Sequence, residues 1–176
     1  MTTRFLCCIV FATYAGAVSA EQHCDVTQFP LSAPTERFED NGDGTVTDSV
    51  SGLMWMRCGV GQAWQNGDCV GELKELDWQS AQSAAARVND EGTHFFSDWR
   101  VPSLRDLAMI IERQCQDPRT NLTIFPRTPS KAFWTATSRP GDESGDSVYA
   151  LSFGPDGVQR MARDAFNYTR LVRSSR

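Results

Sequence analysis

Histidine is nearly absent from this chain: its 176 residues hold two, His23 and His94. One falls in a proline-containing arm and the other in a Gly-Thr-His turn, and no Gly-x-Ser-x-Gly elbow occurs, so a Ser-His-acid hydrolase has no support. No Cys-x-x-Cys pair is present either, which removes the usual zinc spacing, and no metal site or cofactor motif is read. Carboxylates are common, but none stands in a recognisable acid–base pair. The chain is therefore read as non-enzymatic, with a hydrolase as the remote alternative. An excess of positive charge is missing as well: 17 Lys+Arg against 22 Asp+Glu give −5 with His neutral, the wrong sign for a general nucleic-acid binder. Beyond the N-terminus no apolar run approaches the ~20 residues of a transmembrane helix.

The N-terminus itself has a distinct pattern. Arg4 precedes an almost unbroken apolar run over residues 5–12, and Ala17-Val18-Ser19-Ala20 supplies the small residues that a signal peptidase needs. Residues 1–20 are expected to be a cleaved signal peptide, and the product to be exported, to the periplasm or the cell surface. Cys7 and Cys8 lack the upstream leucine and the intervening small residues of a lipoprotein site. Without the leader about 156 residues remain, enough to bury about 70% of the unfolded surface in one core. The net charge of that product is −6, because Arg4 is the leader's one charged residue.

Four cysteines remain, Cys24, Cys58, Cys69 and Cys115, an even set that suits an oxidising compartment and allows three pairings. The preferred pairing is Cys58 with Cys69, closing a loop rich in Gly, Asn and Gln, and Cys24 with Cys115, tying down the N-terminal arm. In the chain-entropy picture these contribute about 3 and about 4–5 kcal/mol.

Residues 21–35 show no periodicity and read as an extended arm; residues 36–176 read as the domain. Residues 37–40 and 45–48 flank Asn41-Gly42-Asp43-Gly44 and predict a hairpin, followed by an apolar strand over 53–57. Asp77 caps an alanine-rich helix over 78–89 with Trp78, Ala81, Ala85 and Val88 on one face. A strand is predicted over 95–101, then a helix over 104–113 capped by Ser103. Strands at 132–138, 147–153, 158–161 and 168–173 follow, interrupted by a polar loop at 139–147. Hairpins, two helices, then further strands indicate an α+β fold.

Several long strings carry a resemblance: RFEDNGDGTVTDSVSGLMWMRC (37–58), GQAW (61–64), SDWRVPSLRDL (97–107), CQDPRTNLTIFPRTPSKAFWTAT (115–137) and YTRLVR (168–173). On these strings the chain resembles the Lcl C-terminal domain family of exported bacterial proteins over nearly all of its length past the leader. The resemblance implies a C-type-lectin-like superfold of twisted antiparallel sheets with two helices, and adhesin-like binding of a glycan, such as a sulfated or acidic polysaccharide, or of an envelope or surface protein. A periplasmic structural or inhibitor-like interaction module without carbohydrate affinity is the alternative. The chain lacks the Glu-Pro-Asn, Gln-Pro-Asp and Trp-Asn-Asp strings that calcium-dependent sugar binding would require.

Three regions are site candidates. Trp64, flanked by Gln62, Gln65 and Asn66 in the loop between Cys58 and Cys69, offers an aromatic face beside amides for a sugar ring; the bland alternative, favoured by how often tryptophan is buried, makes it a plug beneath the loop. At the C-terminus Arg160, Arg163, Arg170, Arg173 and Arg176 stand against Asp164 alone, a local charge of +4. Arg160, Arg163 and Arg173 are the members proposed to contact an acidic chain, weighed against a solvated or internally paired strip. The acidic turn at 40–44 superficially resembles a calcium loop, but turn chemistry explains its residues without metal. Asp142, Glu143 and Asp146 read as an acidic loop, and Arg100 as the partner of Asp98 or Asp106. Trp55, Trp78, Trp99 and Trp134 are expected in the core.

Overall fold

A computed structural model describes residues 22–92, 95–138 and 145–175. The leader, His94, Asp142, Glu143 and Arg176 lie outside those residues. In chain order the elements are β1 (His23–Cys24), a single 3-10 turn (Thr35–Arg37), β2 (Phe38–Asp40), β3 (Thr45–Asp48), β4 (Leu53–Met56), β5 (Ala63–Gln65) and β6 (Asp68–Val70). Then come α1 (Trp78–Asp90), α2 (Leu104–Met109), β7 (Cys115–Gln116), β8 (Ala132–Ser138), β9 (Ser147–Ser152), β10 (Val158–Ala162) and β11 (Val172–Ser174). One antiparallel sheet has the order β11-β4-β3-β2 and a second the order β10-β9-β8, while β5 pairs with β6 and β1 with β7. Sheets, two helices and two disulfides make an α+β domain.

The core explains the placement of the central strands. Side chains alternate across a strand, and three adjacent pairs split between the same two apolar clusters. Trp55, Phe133 and Val172 join Phe125, Phe153 and Leu107 in one, and Met54, Trp134 and Leu171 join Ala81, Ala85 and Trp99 in the other. Strands β4 and β8, and the chain where it enters β11, are thus covered on both faces. Alanines 81, 84 and 85 let α1 approach closely, and the Asp77 carboxylate caps it by accepting from the Ser80 amide at 2.6 Å. Both disulfides are the preferred pair, Cys24–Cys115 and Cys58–Cys69.

Local pattern misjudged three segments. The second helix ends at Met109 rather than at 113, because the amides of Glu112 and Arg113, which another turn would direct back into the helix, donate instead to the Arg119 carbonyl and the Ser32 hydroxyl. No strand forms over 95–101; the Asn89 side chain takes both the amide and the carbonyl of Trp99, and a lone bridge from Arg100 to Val172 is all the pairing that segment has. The last strand starts at Val172, not at 168. Residues 167–171 instead thread between the sheets, bonding to Leu76 and Ala132 on one side and to Val60 and Met56 on the other.

That seam is pinned by Arg170. The side chain is 1% exposed. Its guanidinium donates to the carbonyls of Met56 and Arg57 and to the Thr128 hydroxyl, and lies 4.7 Å from the Phe125 ring centroid. Burial pushes its pKa down to about 9, so it remains charged at neutral pH. Arg170→Met should leave these oxygens buried without donors and lower stability by roughly 2–5 kcal/mol. Denaturant unfolding of the variant is the check, and wild-type stability would show the guanidinium to be dispensable.

The arm is tied down by a buried carboxylate. Glu112 accepts from the amides of Ser32, Ala33 and Gln114 and from the Ser32 hydroxyl at 2.7–3.1 Å, and Ala33 is fully buried. Burial works to raise the Glu112 pKa, but the amide and hydroxyl donors outweigh it and hold the group below the usual glutamate range. A carboxylate depressed on folding stabilises fully above its unfolded pKa, about 4.3, and the contribution fades as pH falls through the folded value. Glu112→Gln should therefore cost about 1–3 kcal/mol at pH 7 and flatten the loss of stability below pH 4. Thermal melts from pH 7 to pH 2 test both effects.

Candidate functional site

Past β4 the chain turns at Arg57 and Cys58 into the β5–β6 hairpin. Asn66 and Gly67 form its two-residue turn with φ of 51° and 84°, both positive as a tight hairpin turn requires. The register sets Trp64 opposite Cys69, so the indole and the Cys58–Cys69 disulfide share one face of the hairpin, turned towards the body of the domain.

Trp64 is half-buried, neither a free platform nor a full plug. Its ring lies on the Arg57 guanidinium, 3.9 Å from carbon to ring centroid, and that guanidinium is held in turn. It donates to the Ile124 carbonyl at 3.0 Å, the Thr123 carbonyl at 2.7 Å and the Asp40 carboxylate at 2.8 Å. On the other approach, Gly44 has φ +90°, and a Cβ there would stand 2.6 Å from Trp64 Cβ. A glycine is needed at that point for conformation and for space alike.

Between this ring and α1 opens a cleft of about 370 Å³. Trp64 and Gln62 line it from the hairpin, Asp43 and Gly44 from the β2–β3 turn, and Val88 and Glu91 from the end of α1. Met56, Val60 and Leu171 add apolar surface. Gln62 is partly committed, its side-chain oxygen accepting from the Gly59 amide at 3.3 Å. Gln65 and Asn66 are exposed on the hairpin and are not among the residues that line the cleft.

The C-terminal arginines are dispersed. Arg173 is buried on β11, donating to Asp98 at 2.6 Å with its guanidinium 3.8 Å from the Phe96 ring centroid. Arg163 lies over the Trp78 ring at 4.2 Å. Arg160, on β10, is exposed and donates to the Ser147 hydroxyl. Arg160 and Arg173 thus stand on strands of different sheets. Arg100 pairs with Asp106 at 2.8 Å. In the acidic turn, Asp40 accepts from the Gly42 amide as well as from Arg57, and Asp43 from the Thr45 amide and hydroxyl. Trp55, Trp99 and Trp134 are in the core; Trp78 is half-buried and donates to the Thr135 carbonyl.

Residue-by-residue reading missed Arg57, Val88 and Glu91. For Arg57 a signal existed, a lone cation closing the apolar run Leu-Met-Trp-Met; the α1 residues reach the cleft through tertiary packing alone. Asn66-Gly67 was a readable hairpin turn inside what looked like a plain loop.

Gly44→Ala should displace the Trp64 ring and cost about 1–3 kcal/mol. Gly42→Ala, also at positive φ but with nothing within 4 Å of the new Cβ, carries the backbone strain alone. A shift of the Trp64 indole N–H resonance in the first variant and not in the second is the expected result.

No curated protein matches the chain. The family model of the Lcl C-terminal domain matches residues 44–173, from the glycine against Trp64 to the arginine that closes on Asp98, and the chain belongs to the Lcl C-terminal domain family.

Proposed function

We propose that this chain is an exported, non-enzymatic binding domain on a C-type-lectin-like scaffold, and that it recognises a glycan in the cleft beside Trp64. One observation carries the reading: an indole stacked on an anchored guanidinium, held rigid at the wall of a cleft of about 370 Å³. A sugar ring packs its C–H face on an aromatic ring while amides and carboxylates meet its hydroxyls. A ring already immobilised by Arg57 and Gly44 loses little further freedom on binding. The two disulfides are compatible with an oxidising compartment, and no helix among the described residues is long and apolar enough to cross a membrane.

A second reading, a periplasmic structural or inhibitor-like module that contacts an envelope protein, draws on Val26 and Phe29, apolar and exposed on the arm at 55% and 63%. A glycan array and a pull-down from envelope extract separate the two. The glycan reading expects array hits that Trp64→Ala weakens about tenfold or more, the equivalent of about 1.4 kcal/mol. An empty array with a specific protein partner captured through the arm would replace it with the second.

A further inference from the structure

The edge of a β-sheet presents unpaired N–H and C=O groups that another strand can use, and most edges of this fold are closed. Along β8 the Trp134 amide donates to the Tyr168 carbonyl, the Tyr168 amide to Ala132 and the Ala136 amide to Pro102. Along β11 Val172 exchanges both backbone bonds with Arg100. On β2 the Phe38 amide turns back onto the Thr35 carbonyl. The outer edge of β10 is different. Gln159 lies opposite Ala150 and Met161 opposite Val148, and the flanking bonds, from the Ser152 amide to Gly157 and from the Arg163 amide to Asp146, fix the alternation. The backbone groups of Gln159 and Met161 therefore face β9, while those of Val158 and Arg160, with the Ala162 amide, face away from it. These outward groups have no backbone partner among the described residues. The strand has no proline, no lysine and no bulge against β9 to guard it, and Val158, Arg160 and Ala162 are all exposed.

We propose that β10 is a docking edge, joined by an extended antiparallel strand of another protein that carries a carboxylate opposite Arg160 between apolar side chains opposite Val158 and Ala162. Main-chain bonds to the outward groups supply the attachment, and the side chains supply the choice of partner. Val158, Arg160 and Ala162 project on one face of the strand, so an incoming strand meets them as apolar, cation, apolar at every second residue. The charge of Arg160 is open to such a pairing. Arg37, Arg57, Arg100, Arg127 and Arg173 each hold an aspartate, whereas Arg160 donates to the Ser147 hydroxyl. Opposite charges facing each other across a strand pair are favourable and like charges are not. That rule also disfavours a second copy of this chain, because two β10 strands paired antiparallel about a two-fold axis at their centre set Arg160 against Arg160. None of the β10 residues lines the Trp64 cleft, so the two surfaces are tested separately.

The test is selection of a displayed random-peptide library on the chain spanning residues 21–176, followed by amide NMR with the selected peptides. Enriched peptides should place an acidic residue between apolar residues at every second position, and should shift the Val158 and Arg160 amides and slow their hydrogen exchange. Their affinity should fall about tenfold or more in Val158→Pro, which removes an outward N–H and leaves the bonds to β9 in place. Arg160→Glu gives a check that does not depend on a proline being accommodated: it should weaken the acidic peptides and bind their Lys-substituted versions better than the wild-type chain does. A library with no enrichment, or selected peptides whose binding neither variant changes, would overturn the docking edge. Peptides that shift β10 but bind wild type and Arg160→Glu equally would overturn the choice of an acidic partner. Concentration-dependent dimerisation abolished by Val158→Pro would give the edge to a second copy and overturn the proposal. Each of these outcomes leaves the glycan reading of the Trp64 cleft untouched.

Discussion

The buried guanidinium of Arg170 sits where the two sheets meet, and its partners are two carbonyl oxygens, a hydroxyl and an aromatic ring. A charge taken out of water needs compensation, and here the partners of the two terminal nitrogens come from separate parts of the chain, while Nε is buried without one among the described residues. The Met56 and Arg57 carbonyls lie at the end of β4, Thr128 and Phe125 in the loop before β8, and Arg170 itself in the seam that threads between the sheets. None of these segments can shift alone without exposing an unsatisfied partner. The requirement extends outward one residue, since the Arg57 carbonyl is held inward and its side chain runs the other way to Thr123, Ile124 and Asp40 with Trp64 stacked on it. The position of the candidate site thus follows from the core.

Around this centre the covalent and polar clamps divide the work. The Cys58–Cys69 bridge closes a short loop and turns the β5–β6 hairpin so that Trp64 faces the domain. The Cys24–Cys115 bridge spans 91 residues of sequence and so constrains the unfolded chain more in the entropy picture. It is seconded by Glu112, which gathers the amides of the arm onto one carboxylate. The arm consequently ends inside the fold, with Ala33 in the core, although its sequence has the look of an extended tail.

What was legible in the sequence was whatever depends on near neighbours. The β2–β3 and β9–β10 hairpins, the capped α1 helix and the cysteine pairing all follow from turn residues, caps and loop spacing. The illegible parts are those decided by a distant partner. Arg119 and Ser32 end α2 from outside the helix by taking the amides of Glu112 and Arg113, and Asn89 captures the Trp99 backbone that apolar pattern alone would put in a strand. The same division holds in the cleft. Trp64 stood out as an indole in a stapled loop, whereas Val88 and Glu91 enter it from α1 only through tertiary packing.

The C-terminal arginines show why a local charge count is a weak guide to a surface. In a strand with one solvated face, residues of opposite parity point to opposite sides, so Arg170 and Arg173 would not both be expected indoors. Their segment, however, lies between two covered layers, and both faces are interior. Arg170 is consumed by carbonyls and Arg173 by Asp98 and Phe96, while Arg163 covers an indole. Positive charge that reads as a strip along the chain is thereby drawn into the structure. Asp43 and Glu91 meanwhile keep their places on the rim of the cleft and Asp40 stays more than half exposed. The charged side chains that line the Trp64 cleft are thus the carboxylates of Asp43 and Glu91, and none of the described arginines of the last seventeen residues is among them.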